Sequence, residues 1–240
     1  MSKGLFITME GVEGTGKSTF TSRLVVDLTS LEIPVVATRE PGGSTIGKTV
    51  RSLLLDADLP ALNPRTEALL FAADRAQHVA ELINPALEAG KIVLCDRYFD
   101  SSVAYQGKAR GLGMEEIKNL SLWGTQGRVP DLTILIDIDP AISLTRKSGD
   151  EVNRMEQQEM LFHQTVRTGL LELANLEPER FVVIDGNLSL SEVYNLIYHV
   201  VLSKWLELIL NKDVKNDEEI ESLTQIKKIL FNQEDRSVGK

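Results

Sequence analysis

Apolar residues recur along this chain in two rhythms. Short apolar runs of strand length come first: Leu5-Phe6-Ile7-Thr8-Met9, Val35-Val36-Ala37-Thr38 and Ile92-Val93-Leu94-Cys95. Two more follow, Leu132-Thr133-Ile134-Leu135-Ile136 within a predicted strand over 130–137, and Phe181-Val182-Val183-Ile184. Between them, helical spacing covers residues 19–31, where Leu24, Leu28 and Leu31 share one face. It recurs over 45–56, over 65–89 on Leu69, Leu70, Ala73, Val79, Leu82 and Ile83, over 114–126, over 140–146, over 156–176 and from Ser191 to about Leu210. Pro85 predicts a kink in the long helix. Strands alternating with helices predict an α/β fold, a parallel sheet covered on both faces.

The spacing breaks in informative places. Residues 107–113, bounded by glycines, read as a mobile loop. Residues 147–154 interrupt the apolar pattern with Ser148-Gly149-Asp150, which suits a short lid between helices. From Asn211 the character changes to a polar linker and then an amphipathic helix striped by Ile220, Leu223, Ile226, Ile229 and Leu230. The expected division is therefore a main domain over 1–210 and an appendage over 211–240.

Composition narrows the class. With 42% hydrophobic residues in 240, there is enough apolar material for one sizeable core. A net charge of −9 argues against a nucleic-acid polymer as partner, though not against a nucleotide. The single cysteine, Cys95, fits a reducing, cytoplasmic setting and a core position. No secretory leader is expected, and no run is expected to approach the length that crosses a bilayer. His78, His163 and His199 lack ligand spacing, and core or surface roles are expected for them.

The sharpest chemical signal is Gly11-Val12-Glu13-Gly14-Thr15-Gly16-Lys17-Ser18, which fits the phosphate-binding P-loop pattern. Its glycines allow positive φ, so that backbone N–H groups can curl around an anion. Lys17 is suited to the terminal phosphates and the Ser18 hydroxyl to Mg²⁺. An apolar strand before it and a helix after it, from Thr19 on, are the setting the loop requires. The α/β fold then becomes a P-loop NTPase-type three-layer sandwich, with a five-stranded parallel sheet, flanking helices and a short lid.

Other candidates sit where strands end. Arg39 follows the second strand and Asp96-Arg97 the third, so both point to the crevice where open α/β sheets bind ligands. Asp96 suits orientation of Mg²⁺, often through water; an Asp96–Arg97 salt bridge is the structural alternative. Phe71 and Arg75, four apart, share a helix face, where one can stack on a base and the other hold a polar edge or phosphate. A core phenylalanine beside a solvated arginine is the alternative. Ser101, Ser102, Tyr105 and Gln106 form a polar run able to read a substrate.

Beyond the P-loop, Thr38-Arg39-Glu40-Pro41-Gly42-Gly43, Leu70-Phe71-Ala72-Ala73-Asp74-Arg75, Asp96-Arg97-Tyr98 with Ser101, Ala104, Tyr105 and Gln106, Pro130-Asp131-Leu132-Thr133 and Asn153-Arg154-Met155-Glu156 occur together. In these motifs the chain resembles the thymidylate kinases over roughly residues 3–205. The resemblance implies transfer of a phosphoryl group from ATP to dTMP, giving dTDP on the path to dTTP, with Mg²⁺, on a cytoplasmic homodimer. It implies that Gly11 to Thr19 bind ATP, that Lys17 and Arg97 are catalytic, and that Arg146 lies against adenine. Arg39 and Arg97 would hold the monophosphate. Phe71 would stack on thymine and Arg75 bond its carbonyl edge, with Ser102 and Gln106 lining the base pocket. Glu13 would accept the 3′-hydroxyl, Tyr105 would pack at the 2′ position, and Glu156 would bound the site from the lid side. Ser18 and Asp96 would face the metal. Gly14 stands where some members carry a basic residue, which leaves the neutralising lid cation among Arg146, Lys147 and Arg154.

Such chemistry needs charge neutralisation rather than a general base, which predicts an arginine-rich crevice with no histidine in it. Two other readings fit parts of the pattern: a kinase for another nucleoside monophosphate, and a P-loop nucleotide-binding switch. A guanine-reading Asn-Lys-x-Asp run does not occur.

Overall fold

The computed structural model describes residues 4–56, 58–146, 155 and 158–210. Its centre is a parallel sheet of β1 (Leu5–Glu10), β2 (Val35–Arg39), β3 (Ile92–Asp96), β4 (Leu132–Asp137) and β5 (Phe181–Asp185). These pair in the order β2-β3-β1-β4-β5. β1 lies between β3 and β4 and is buried along its whole length. Because strand side chains alternate between faces, β1 feeds two cores. Leu5, Ile7 and Met9 join Ile92, Leu94, Ile134, Ile136 and Ile184 on one face. Phe6 joins Val93, Cys95, Leu135 and Phe181 on the other.

The first face is covered by α1 (Lys17–Ser30), through Phe20, Leu24 and Leu28, and by α9 (Leu190–Leu210). Leu31 lies beyond the end of α1 and is exposed, so the predicted three-leucine stripe has two buried members. α9 has the length and composition of a membrane-crossing helix, contrary to expectation. It is apolar because Val193, Ile197, Val201 and Leu202 pack into this core.

The second face carries α3 (Pro64–His78), α4 (Asn84–Glu88), α5 (Phe99–Ser102), α6 (Met114–Gly124) and α8 (Met160–Leu176), with α2 (Thr45–Leu55) packed on α3. α7 (Pro140–Ser143) leads into a 3₁₀ turn, Leu144–Arg146. The predicted helix over 65–89 is α3 and α4 joined by a π-helical stretch, Val79–Ile83, in place of a proline kink. A second π-helical stretch, Val103–Ala109, continues α5. It corrects the loop expected from residue 107, because the glycine there packs its backbone against Met114. α3 also inverts its expected face. Leu69 is 58% exposed, while Glu67, Asp74, Arg75 and His78 are buried. The tail over 211–240 lies outside the described residues.

Candidate active site

The functional groups gather at the carboxyl ends of β1, β2 and β3. There a cleft of about 450 Å³ opens, within the size range of small-molecule sites. Its rear wall is the loop between β1 and α1. Gly11, Gly14 and Gly16 all have positive φ. At Gly14 the need is also spatial, since a Cβ there would stand 2.0 Å from the Ser143 carbonyl oxygen. Gly16 caps α1, so the positive end of that helix faces the loop. Lys17 is buried and turned inward, donating to the carbonyls of Gly11 at 3.1 Å and Val12 at 2.7 Å and to Thr15 Oγ1 at 3.2 Å. Burial, helped by the nearby Arg97 charge, draws its ammonium down to about 8. The Ser18 hydroxyl donates to the Asp96 carboxylate at the mouth of the loop.

Opposite stand the cations. Arg39 and Asp96 occupy paired positions at the ends of β2 and β3. Arg51, on α2, lines the cleft and donates to the Pro41 carbonyl. Arg97 takes φ 69°, a left-handed conformation that costs a non-glycine residue about 1–3 kcal/mol. Its backbone N–H continues the strand pairing by donating to Met9. The turn places its guanidinium between Ser101 at 3.0 Å and Glu13 at 3.0 Å, across the face of Tyr105. The Asp96–Arg97 salt bridge posed as an alternative does not form: Arg97 pairs with Glu13 and Asp96 accepts from Ser18.

Glu13 therefore sits inside an anion-binding loop yet points toward donors. The Tyr105 hydroxyl donates to it at 2.6 Å. Burial alone would raise its carboxyl, but the Arg97 charge, His163, Lys17 and the Tyr105 bond together hold it well below the usual carboxylate range. Beneath lies Glu10, the last residue of β1, fully buried. It accepts the Tyr98 N–H at 2.8 Å and the Ser101 hydroxyl at 2.5 Å. Burial and the neighbouring Asp100 charge push it up to about 7.

Arg75 lines the other end of the cleft with Phe71, Ser102, Tyr105 and Gln106. It is not the solvated arginine of the alternative reading. It donates to Glu40 at 2.7 Å, Ser121 at 3.2 Å and Ser102 at 2.9 Å. His78, on the same helix, meets the other Glu40 oxygen at 2.9 Å and Thr38 at 2.7 Å. Burial and the Glu40 charge push the adjacent Asp74 up to about 6.

No histidine lines the cleft among the described residues, as expected, but two buried histidines back it: His78 through Glu40, and His163 with Nδ1 3.7 Å from Glu13. Arg146 reaches the cleft and donates to the Gly186 carbonyl at 3.0 Å. Lys147, Arg154 and Glu156 lie outside the described residues. Glu10, Glu40, Arg51, Glu67 and Arg110 escape sequence reasoning. The readable signal for Glu10 and Glu40 was a carboxylate at a strand end; Arg51 had none, being one of two cations, with Lys48, on a mixed helix.

A phosphate-binding loop facing several arginines across one cleft, on a five-stranded parallel sheet, defines a P-loop kinase. Comparison with known proteins narrows this. The family model described as Thymidylate kinase matches residues 9–197. A thymidylate kinase of Halalkalibacterium halodurans is 48% identical over 196 residues, 80% of this chain and 93% of that protein. One of Pelobacter propionicus is 47% identical over 210 residues, 85% and 96% of the two chains. One of Bifidobacterium longum subsp. infantis is 50% identical over 197 residues, 81% and 84%. The chain belongs to the thymidylate kinase family.

Proposed function

We propose that this chain transfers the terminal phosphoryl group of ATP to dTMP, producing dTDP and ADP, and that it works as a cytoplasmic homodimer. The observation that carries the substrate reading is Glu13. Its carboxylate turns from the loop toward Arg97 and Tyr105, where a nucleotide sugar would lie beside a phosphate held by Arg97.

The rest of the cleft accommodates two phosphate-bearing ligands. ATP would lie along Gly11 to Thr19, with Arg146 against its base. Arg39, Arg51 and Arg97 would hold the monophosphate, since planar guanidinium groups match phosphate oxygens. Phe71, Arg75, Ser102 and Gln106 would receive the base. The acceptor is already an anionic oxygen, so it attacks the terminal phosphorus without a general base as ADP departs. Positioning and neutralisation supply the catalysis, and Lys17, Arg97 and a lid cation are the charges at hand.

Mg²⁺ fits Ser18 and Asp96. They offer two neighbouring oxygens at the loop mouth, and no cluster of three or more metal-ligating side chains occurs among the described residues. Two protein oxygens suit a metal that keeps waters and phosphate oxygens as its remaining ligands; bound there, it would neutralise the phosphates.

Dimerisation has a surface to use. Ile46 on α2, Leu69 on α3 and Trp123 on α6 are exposed, Trp123 to 82%, and α2 and α6 each pack on α3. Exposed apolar groups gathered this way mark contact surfaces. The deciding experiment is a panel of nucleoside monophosphates with ATP and Mg²⁺, followed by ADP release. dTMP should be consumed fastest; a clear preference for another monophosphate overturns the reading.

A further inference from the structure

Behind the base end of the cleft, Gln106 leads into a chain of groups that the reading above does not use. Gln106 lines the cleft yet is almost fully buried. Its Nε2 donates to Glu67 Oε1 at 2.8 Å. Glu67, in the first turn of α3, is also buried and does not reach the cleft itself. Arg110 grips it from the far side, with Nε 3.2 Å from Oε1 and a terminal nitrogen 3.1 Å from Oε2. Arg110 is held in turn by Gln158 at 2.8 Å and lies over the Phe162 ring.

The chemistry of this relay permits one orientation of the amide. A carboxylate only accepts hydrogen bonds, whereas a glutamine amide has a donor end and an acceptor end. Glu67 therefore requires the Gln106 nitrogen, and the amide oxygen must face the other way. That oxygen takes no bond from any described residue. Turned toward the cleft, it is an acceptor waiting for a donor.

We propose that Glu67 is a positioning residue for base selectivity: by fixing the Gln106 amide it tunes the cleft to a pyrimidine that donates at N3 and against one that accepts there. Thymine carries the N3–H and cytosine a lone pair at the same place. This rests on the base lying at Gln106, as in the function proposed above. A polar group built to pair with a substrate N–H rejects the analogue that lacks it, because both acceptors are then left facing each other.

The test compares native enzyme, Glu67→Gln and Glu67→Asp for kcat/KM on dTMP and dCMP, with the Ki of dCMP against dTMP as a second reading. A glutamine at 67 can offer its own NH₂ to Gln106 and let that amide turn over. The dTMP:dCMP ratio should fall by about 10-fold or more, mainly through KM, with the dCMP Ki falling too. Glu67→Asp, which keeps the carboxylate on a shorter stem, should lie between. A purely structural role would lower both substrates in proportion, and an unmoved ratio in folded Glu67→Gln overturns the proposal. If that variant does not fold, the Glu67→Asp ratio decides, and equality with native overturns it. Native enzyme that ignores dTMP sinks the functional reading and this one with it. Native enzyme that prefers dTMP while the variants keep its ratio sinks this one alone.

Discussion

The Tyr105 hydroxyl stands 2.6 Å from Glu13, joining the π-helical stretch after α5 to the phosphate-binding loop. Arg97 closes the same carboxylate from the other side. A hydroxyl on the ligand can therefore compete for a carboxylate that is already ionised and aimed. A bond of that kind contributes about 1.5–3 kcal/mol. Substrate lacking the 3′-hydroxyl should lose roughly 10- to 100-fold in kcat/KM with native enzyme. Glu13→Gln should show a much smaller difference between dTMP and 3′-deoxy-dTMP. Equal use of both by the native enzyme would remove the contact.

Lys17 and Arg97 carry the charges nearest the transferring group in the proposed reaction. Replacing either by alanine should lower kcat by at least ~100-fold, as when preorganised charge is taken from a developing anion. Circular dichroism and single-turnover kinetics check that the fold is kept and that chemistry is what slows. Near-normal kcat in a folded variant excludes that residue from the step.

Glu10 makes stability depend on pH. Its carboxyl is pushed up to about 7 from an ordinary 4.5, so the folded protein keeps the proton where the unfolded chain has released it. The stabilisation is full below about pH 4.5, is lost as pH rises to about 7, and changes no further above that. The loss amounts to up to about 3 kcal/mol. Urea unfolding at pH 5 and pH 7.5 should show this slope in native protein and a shallower one in Glu10→Gln. Parallel profiles would show that Glu10 does not titrate in this range.

Arg75 and Glu40 form a buried ion pair, each side chain 2% exposed. Removing one partner strands the other's charge, which costs about 3–5 kcal/mol. Arg75→Ala should therefore lower the urea midpoint markedly as well as weakening dTMP binding. A variant with native stability and a raised KM would assign Arg75 to the substrate alone.

Among the described residues, those lining the cleft lie between Glu13 and Met155. A chain ending at Leu210 should keep dTMP kinase activity within a few-fold, whatever happens to solubility or oligomeric state. A truncated protein that folds and dimerises but is inactive would place the tail in the active site.

The sheet was legible because each strand is a compact apolar run, and the phosphate loop because its glycines and Lys17 have few other uses. Strand-end reasoning found Arg39, Asp96 and Arg97 for the same reason: position in a parallel sheet determines where they point. What stayed hidden depends on partners distant in the chain. Helix α3 buries Glu67, Asp74, Arg75 and His78 and exposes Leu69, the reverse of what apolar spacing suggests. Its polar face is tolerated because Glu40, Ser102, Ser121, Gln106 and Arg110 supply bonds. None of these neighbours is visible from local periodicity. Arg51 was missed likewise, as were the contacts of the buried His78 and His163 with Glu40 and Glu13.

The wide turns of Val103–Ala109 have a consequence for length rather than for residue type. Each residue added to or taken from a helix rotates everything beyond it by about 100°. A π-helical stretch holds an extra residue relative to a regular helix, and here it presents both Tyr105 and Gln106 to the cleft. Shortening it by one residue would give a more regular helix with better backbone bonds. The same change would swing one flank of the site out of register with Glu13 and Glu67. Loss of one residue here therefore costs the site its geometry even where every remaining side chain is kept, so that the spacing of the segment is inherited as a unit.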